Sequence, residues 1–428
     1  MRIDSISMKN FRKFEEIQIC LKSNMNVIAG NNGSGKSSIL DALSIGIGGF
    51  FLGISRIETP GIKRTDIRYE TYMLGSRPER QPKLPVSIRC SGTVFDKDIS
   101  WTRSLNTETG KTAYGEASAI NKIGKRIESH IHNGNANVIL PIISYYGTGR
   151  LWAQHKDTIH NNTDNYSSRF DGYVNCLSSK SNESAMIRWF RDMTMIALED
   201  NQSVPELTAV QDAIAKCFFG GYSNAKDFKV RYSVKRKGIE VSYINKDGQP
   251  EIHPFHELSD GFRNTLSMVV DIAYRMAMLN PQLLSEVTKK TPGVVLIDEV
   301  DLHLHPQWQK NILNNLQEIF PMVQFVVTTH SPTIIASAKN TNLIMIDGND
   351  CYYYDSSYGK DSNSVMTDIM QVEPRPQEVK VLFDCFHQAI DRRDLTKAEA
   401  IYQQLADILG ENDRDVVNAR IALEFESF

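Results

Sequence analysis

The chain has 428 residues, too many for one ordinary compact domain, and carries 48 Lys and Arg against 51 Asp and Glu, a formal net charge of -3. That balance excludes a polycation that seeks phosphate backbones by bulk charge and leaves only local basic patches. Six cysteines with no CxxC spacing point away from a zinc or disulfide framework and towards a reducing compartment. The first residues lack a charged region leading into an apolar stretch, and no run reaches the ~18 apolar residues of a membrane span. The expectation is a cytoplasmic protein with no membrane contact.

In chain order, residues 3–7 and 17–21 alternate apolar and polar as half-buried strands do, and 25–29 is a short apolar run ending at a glycine-rich turn. Gly30-Asn31-Asn32-Gly33-Ser34-Gly35-Lys36-Ser37 then fits G-x-x-x-x-G-K-[ST] at each fixed position, between a predicted strand and a predicted helix. Glycines there let backbone N–H groups turn inward around a phosphate, while Lys36 reaches the β and γ oxygens and Ser37 can ligate Mg²⁺. From 56 to 81 the pattern dissolves into charged and turn-forming residues, and 86–90, 92–95 and 99–104 read as a strand meander, an inserted β-lobe. A break at 133–137 leads into 138–143, the best buried-strand candidate in the middle of the chain, followed by Tyr145-Tyr146-Gly147-Thr148-Gly149-Arg150. Residues 157–168 are loop-like, 185–198 and 210–218 have helical spacing, and 229–234 with 239–244 form a hairpin closed off by the turn at 245–248. Lys229, Arg231, Lys235, Arg236 and Lys237 make that hairpin basic, which suits a solvated edge strand or a DNA contact.

Leu258-Ser259-Asp260-Gly261-Phe262-Arg263 precedes a long amphipathic helix that Ser259 or Asp260 can cap, and its free N–H groups offer a second anion site. Val294-Val295-Leu296-Ile297-Asp298-Glu299 is an apolar strand ending in two acids, which sets both at the carboxyl end of a parallel strand. In that position Asp298 can hold Mg²⁺ and Glu299 can polarise the water that attacks a γ-phosphate. Gln324-Phe325-Val326-Val327-Thr328-Thr329 ends at His330-Ser331-Pro332, where His330 can sense the γ-phosphate and Ser331-Pro332 can start a helix. Strands at 343–346 and 352–354 follow, and from Pro376 the chain is a helical tail with Thr396 and Glu399 spaced as a capping box.

Phosphate loop, Ser259 turn, acidic strand and histidine, in this order, resemble the ABC ATPase set: phosphate loop, signature motif, acidic strand with its D-loop, and switch histidine. Met8-Lys9-Asn10-Phe11-Arg12-Lys13-Phe14, the loop continued to Ser38, Asp298-Glu299-Val300-Asp301-Leu302-His303-Leu304-His305-Pro306 and Thr328-Thr329-His330-Ser331-Pro332 are similar to the RecF/SMC/OLD-like branch rather than to transporters. The resemblance covers mainly residues 1–50 and 255–350. It implies an α/β ABC ATPase head with a mixed sheet, an enzyme that hydrolyses ATP with Mg²⁺, and a homodimer in which the signature of one protomer closes over the nucleotide of its partner.

On that resemblance Asn31, Asn32, Gly33, Ser34, Gly35, Lys36, Ser37, Ser38 and Arg12 contact the nucleotide, with Ser259, Gly261 and Arg263 arriving from the partner. Ser37 and Asp298 take the metal, and Lys36, Glu299 and His330 are catalytic. The signature departs from transporter-like motifs in carrying Asp260 where they have glycine, and Gln154 is the candidate glutamine-loop residue. His303 and His305 belong to the Leu-His-Pro stretch of the branch rather than to a metal site. The Tyr145 to Trp152 stretch and the tail resemble stand-alone ATPases of bacterial defence, and among them the ATPase subunit of Septu-type anti-phage systems, which act with a separate HNH nuclease. The expected layout is a head from 1–55 and 255–350, a β-lobe at 56–140, a helical and hairpin insertion at 141–254 and a helical extension at 351–428. Two functions follow: an ATP-driven subunit that regulates a partner nuclease, or a RecF/SMC-like ATPase that binds DNA.

Overall fold

The computed structural model describes residues 1–151, 168–178, 183–219, 226–245 and 247–426. The alternating opening of the chain builds an antiparallel pair, β1 (Arg2–Phe11) and β2 (Phe14–Cys20), that buries Ile6, Met8, Ile17 and Ile19 on one face, with Phe11 and Phe14 also buried beside the turn. The uninterrupted apolar run becomes β3 (Met25–Ala29), buried along its whole length, and α1 (Lys36–Ile47) follows the glycine-rich turn. Residues 69–82, which carry no period, form a two-stranded arm, β4 (Tyr69–Leu74) with β5 (Arg77–Pro82). Its residues are exposed along most of both strands, so no apolar alternation marks it.

β6 (Val86–Val94) and β7 (Lys97–Leu105) lie in the stretch expected as an inserted β-lobe at 56–140, and they share a sheet with the opening strands. β6 pairs antiparallel with β1, Ile6 opposite Cys90, so the sheet runs β2-β1-β6-β7. Each of these strands has one apolar face, and that face closes on α1: the Trp101 indole donates to Gly46 O at 2.8 Å and Arg103 Nη1 to Ile45 O at 3.0 Å. The amphipathic α2 (Ser118–His132) follows. The apolar run at 138–143 gives β8 (Ile142–Tyr146), which starts late because Pro141 has no N–H for a ladder. The residues before it are held by side chains instead, Leu140 N donating to Asn280 Oδ1 at 2.8 Å and Val138 O accepting from Arg169 Nη2 at 2.5 Å.

Helices α3 (Glu183–Glu199) and α4 (Pro205–Phe219) precede a three-stranded sheet of β9 (Lys226–Ser233), β10 (Gly238–Ile244) and β11 (Pro250–Pro254), in the order β11-β10-β9. The twenty-residue α5 (Asp260–Leu279) then runs into the core. β12 (Gly293–Ile297), α6 (Ile312–Ile319), β13 (Val323–Thr328), α7 (Pro332–Ser337), β14 (Thr341–Asp347) and β15 (Asp350–Tyr354) complete the unit. The central sheet has the order β15-β14-β3-β13-β12-β8, with all pairs parallel except the β14–β15 edge. Gln324 of β13 joins this sheet to the first one, donating to Ile3 O at 2.7 Å and accepting from Ile3 N at 2.8 Å where β1 shifts register.

Two compact units result, Met1–Asp361 and Ser362–Phe428. The boundary expected at 351 falls later because 350–354 is a sheet strand paired with β14. In the second unit α8 (Gln377–Asp391), α9 (Leu395–Leu409) and α10 (Arg414–Glu426) pack around Phe386, Ala398, Leu405 and Val416. Asp394, not Thr396, caps α9 by accepting from Lys397 N at 3.2 Å, because the helix begins one residue before the threonine. Among the described residues no helix is long and apolar enough to cross a membrane.

Candidate active site

Ligands of open α/β sheets bind beyond the carboxyl ends of the parallel strands. β13 lies between β3 and β12, so the loop after β3, His330 after β13 and Asp298-Glu299 after β12 stand side by side at that edge. Residues far apart in sequence are thereby brought together, and the charges around Lys36 report it: Asp298, Glu299 and Asp301 act on its ammonium.

The loop is built as its glycines dictate. Gly35 takes φ 96 as the residue before α1, and a Cβ there would lie 2.5 Å from the Phe14 ring. Phe14 and Lys13, at the β1–β2 turn, therefore pack directly on the loop, and Lys13 Nζ donates to Gly33 O at 3.1 Å. Lys36 folds back, donating to Gly30 O at 2.9 Å, Asn31 O at 3.0 Å and Ser34 Oγ at 3.4 Å. Its burial lowers the ammonium pKa, and the three carboxylates oppose that shift. Asn31, Asn32, Gly33 and Ser37 are exposed, and Ser38 is in reach of Arg12 Nη1 at 3.4 Å. Arg12 itself is fixed by two carboxylates, Asp41 at 2.6 Å and Asp66 at 2.9 Å. The sequence had only Arg12 and Lys13 near the nucleotide; Phe14 closes the opening motif without a role of its own there, and Asp41 carries no motif signal.

Asp298 is buried, and Thr328 of the next strand organises it. The Thr328 hydroxyl donates to Asp298 Oδ1 at 2.6 Å and accepts from Glu299 N at 2.8 Å. Glu299 has φ 46, a left-handed conformation that costs a non-glycine residue energy and is held here by this neighbour. Thr329 repeats the device one residue on, donating to Asp301 Oδ1 at 2.7 Å. Thr328→Val removes both bonds at once, one to a buried carboxylate and one from the N–H of Glu299. The expected loss of stability is about 1–3 kcal/mol, read as a lower urea midpoint at unchanged slope.

His330 lies beyond Thr328, with its pKa lowered first by burial and then by Lys36, against the pull of Asp301, Glu299 and Asp298. Its imidazole is therefore neutral at pH 7 and presents one donor and one acceptor. Ser331 does start α7, accepting from Ile334 N at 3.3 Å. His305 caps the short helix Pro306–Gln309 by accepting from Gln307 N at 3.3 Å, a structural role for a residue that tempts a metal reading.

Ser259 occupies the residue before α5, as expected, yet its side chain makes no capping bond to the helix; Ser259 and Asp260 are exposed. Arg263 pairs with Asp260 at 3.0 Å. Gly261 is needed for close approach: a Cβ would stand 2.1 Å from the His303 carbonyl oxygen, so the helix start rests on the loop after Glu299. Gln154 lies outside the described residues, as do Trp152 and Lys246.

Further along, Tyr145 and Tyr146 at the end of β8 hydrogen-bond to Asp41 and Asp271. Asp271 and Arg275 sit one turn apart on α5 as an ion pair of 2.6 Å. The only sequence signal for this set was the i, i+4 spacing of the pair.

A family model described as AAA domain matches residues 5–218, and a second AAA domain model matches 126–336. "Retron Ec83 probable ATPase" of Escherichia coli is 25% identical over 440 residues, spanning 89% of this chain and 78% of that protein. "Septu protein PtuA" of Bacillus thuringiensis is 26% identical over 357 residues, 81% of this chain and 74% of the relative. Among solved structures, an Smc head bound to the C-winged helix domain of ScpA aligns with TM-score 0.50 at 16% identity, over 83% of this chain and 98% of that one. The fold is thus that of an SMC-type ABC ATPase head, and the chain belongs to the AAA domain family, as an ATPase of the RecF/SMC/OLD-like branch that resembles Septu PtuA.

Proposed function

We propose that the chain binds ATP with Mg²⁺, pairs head to tail with a second copy around two nucleotides, and through that cycle regulates a separate nuclease in anti-phage defence. The observation that carries the ATP part is the adjacency of β3, β13 and β12, which sets Lys36, His330 and the Asp298-Glu299 pair around one edge of the sheet. Asn31 to Ser38 would surround the phosphates with N–H groups at the positive end of α1, and Arg12 would support Ser38 from outside.

Ser37 and Asp298 offer a hydroxyl and a carboxylate, hard oxygen donors that suit a magnesium ion rather than a thiophilic one. When bound, the ion would supply positive charge that offsets the negative charge of the phosphates. Glu299, beside Asp298, takes the proton of the attacking water, and neutral His330 donates to the γ-phosphate. Ser259, Gly261 and the exposed start of α5 would close over the nucleotide of the partner, with Arg263 as a further donor once released from Asp260.

The defence role is supported by the Septu resemblance and by the similarity over most of its length to a relative of that name. Direct DNA binding gains less from the basic hairpin than its sequence suggests. Arg231 and Arg236 both face Glu240, at 3.4 and 3.3 Å, so part of their charge is offset, although they are exposed like Lys229, Lys235 and Lys237. Coexpression with the product of a neighbouring nuclease gene tests the choice. A stable complex whose cleavage depends on ATP is expected; no complex, together with ATPase activity raised by DNA and lost steeply with salt, would favour the DNA-binding alternative.

A further inference from the structure

We propose that the last two residues of β8, Tyr145 and Tyr146, form a strap that holds the phosphate-loop helix and the signature helix of one chain in fixed relation, and so links its two nucleotide surfaces. Successive strand residues point to opposite faces, and here both faces are used. The Tyr145 hydroxyl donates to Asp41 Oδ1 of α1 at 2.8 Å, and the Tyr146 hydroxyl donates to Asp271 Oδ2 of α5 at 2.7 Å.

Both carboxylates are anchored in turn. Arg12 holds Asp41 at 2.6 Å while reaching Ser38 of the phosphate loop, and Arg275 holds Asp271 at 2.6 Å while its Nη1 donates to Gly172 O at 2.8 Å and Val174 O at 3.0 Å. The strap also touches the acidic strand, because Tyr146 O accepts from Asp298 N at 2.8 Å. Burial and the neighbouring carboxylates raise both phenol pKa values, so both hydroxyls stay protonated and donate. Three motif-bearing segments therefore hang on two consecutive residues.

From Asp271 to Ser259 the helix runs twelve residues, roughly 18 Å at its normal rise, and a packed helix transmits a displacement over that length as a lever. In the dimer proposed above, on which this inference rests, the Lys36 and Ser259 of one chain serve different ATP molecules. A strap between them carries the state of one site to the other, a role for positioning residues that touch neither substrate.

The test uses the full chain with Tyr146→Phe, Tyr145→Phe and Asp271→Asn, and reads the Kd for ATP with magnesium, kcat, and the Hill coefficient of hydrolysis. In Tyr146→Phe and Asp271→Asn, kcat is expected to fall about tenfold and the Hill coefficient to drop towards unity, with Kd changed by less than about twofold. The double variant Tyr145→Phe with Tyr146→Phe should lose no more than the worse single variant, since a strap cut at either end is cut.

Tyr146→Phe leaves the Asp271–Arg275 pair intact, so it decides the question if Asp271→Asn does not fold. Wild-type kcat and cooperativity in folded Tyr146→Phe, or single-variant losses that multiply independently, overturn the strap. A wild-type chain that binds nucleotide yet never pairs contradicts the dimer reading beneath it, and that control is read before any variant.

Discussion

Lys36→Ala is expected to abolish nucleotide binding while the chain remains folded. Lys36 is the cation at the centre of the loop, held there by donation to Gly30 O and Asn31 O. Its ammonium can make at least two charge-assisted bonds to phosphate oxygens, each worth ~1.5 kcal/mol or more. Losing both weakens affinity at least about a hundredfold, and desolvation of the site makes the loss larger. The methylene stem carries little of the core, since α1 is anchored by Ile39, Leu40, Leu43 and Ile47. Titration with a fluorescent ATP analogue should give no saturable signal for the variant; a Kd within a few-fold of wild type would remove Lys36 from the proposed phosphate site.

Glu299→Gln is expected to separate binding from chemistry. The substitution keeps shape and volume, and the backbone at residue 299 is fixed by the Thr328 hydroxyl rather than by the glutamate side chain. Nucleotide affinity should therefore survive. A carboxamide cannot take a proton from water, so turnover should fall by roughly 10²–10⁴-fold, the usual contribution of a general base. Hydrolysis at the wild-type rate would show that some other group activates the water.

Motif, period and terminator residues made much of this architecture legible. The apolar runs at 25–29, 294–297 and 324–329 read as buried strands, and the G-x-x-x-x-G-K-S loop and Asp298-Glu299 mark the carboxyl ends of two of them. Neighbourhood was harder to read. Motif order put His330 and Lys36 at one phosphate, but no local pattern says that β13 lies between β3 and β12, the strand order that brings the two together.

The sheet partners of the strands at 56–140 were hidden for a related reason. Strand pairing such as β1 with β6 is a long-range choice, invisible to local alternation. The arm at 69–82 escaped because both its faces are wet, and the capping box at Thr396 failed because Asp394 offered the same bond two residues earlier. The supporting roles of Thr328, Tyr145, Tyr146 and Asp271 were missed for a chemical reason: hydroxyls and carboxylates that support other side chains have no fixed spacing from them, so only the fold assembles them.

The central claim is that one chain grips the triphosphate with Lys36 while a second chain closes on it with the turn at Ser259. The most direct measurement is the mass of Glu299→Gln in solution by light scattering, with ATP and magnesium and then with Lys36→Ala added to the same chain. The account predicts a doubling of mass that requires nucleotide and is lost in the Lys36→Ala double variant. A chain that binds ATP and magnesium yet keeps the mass of a single copy would contradict it.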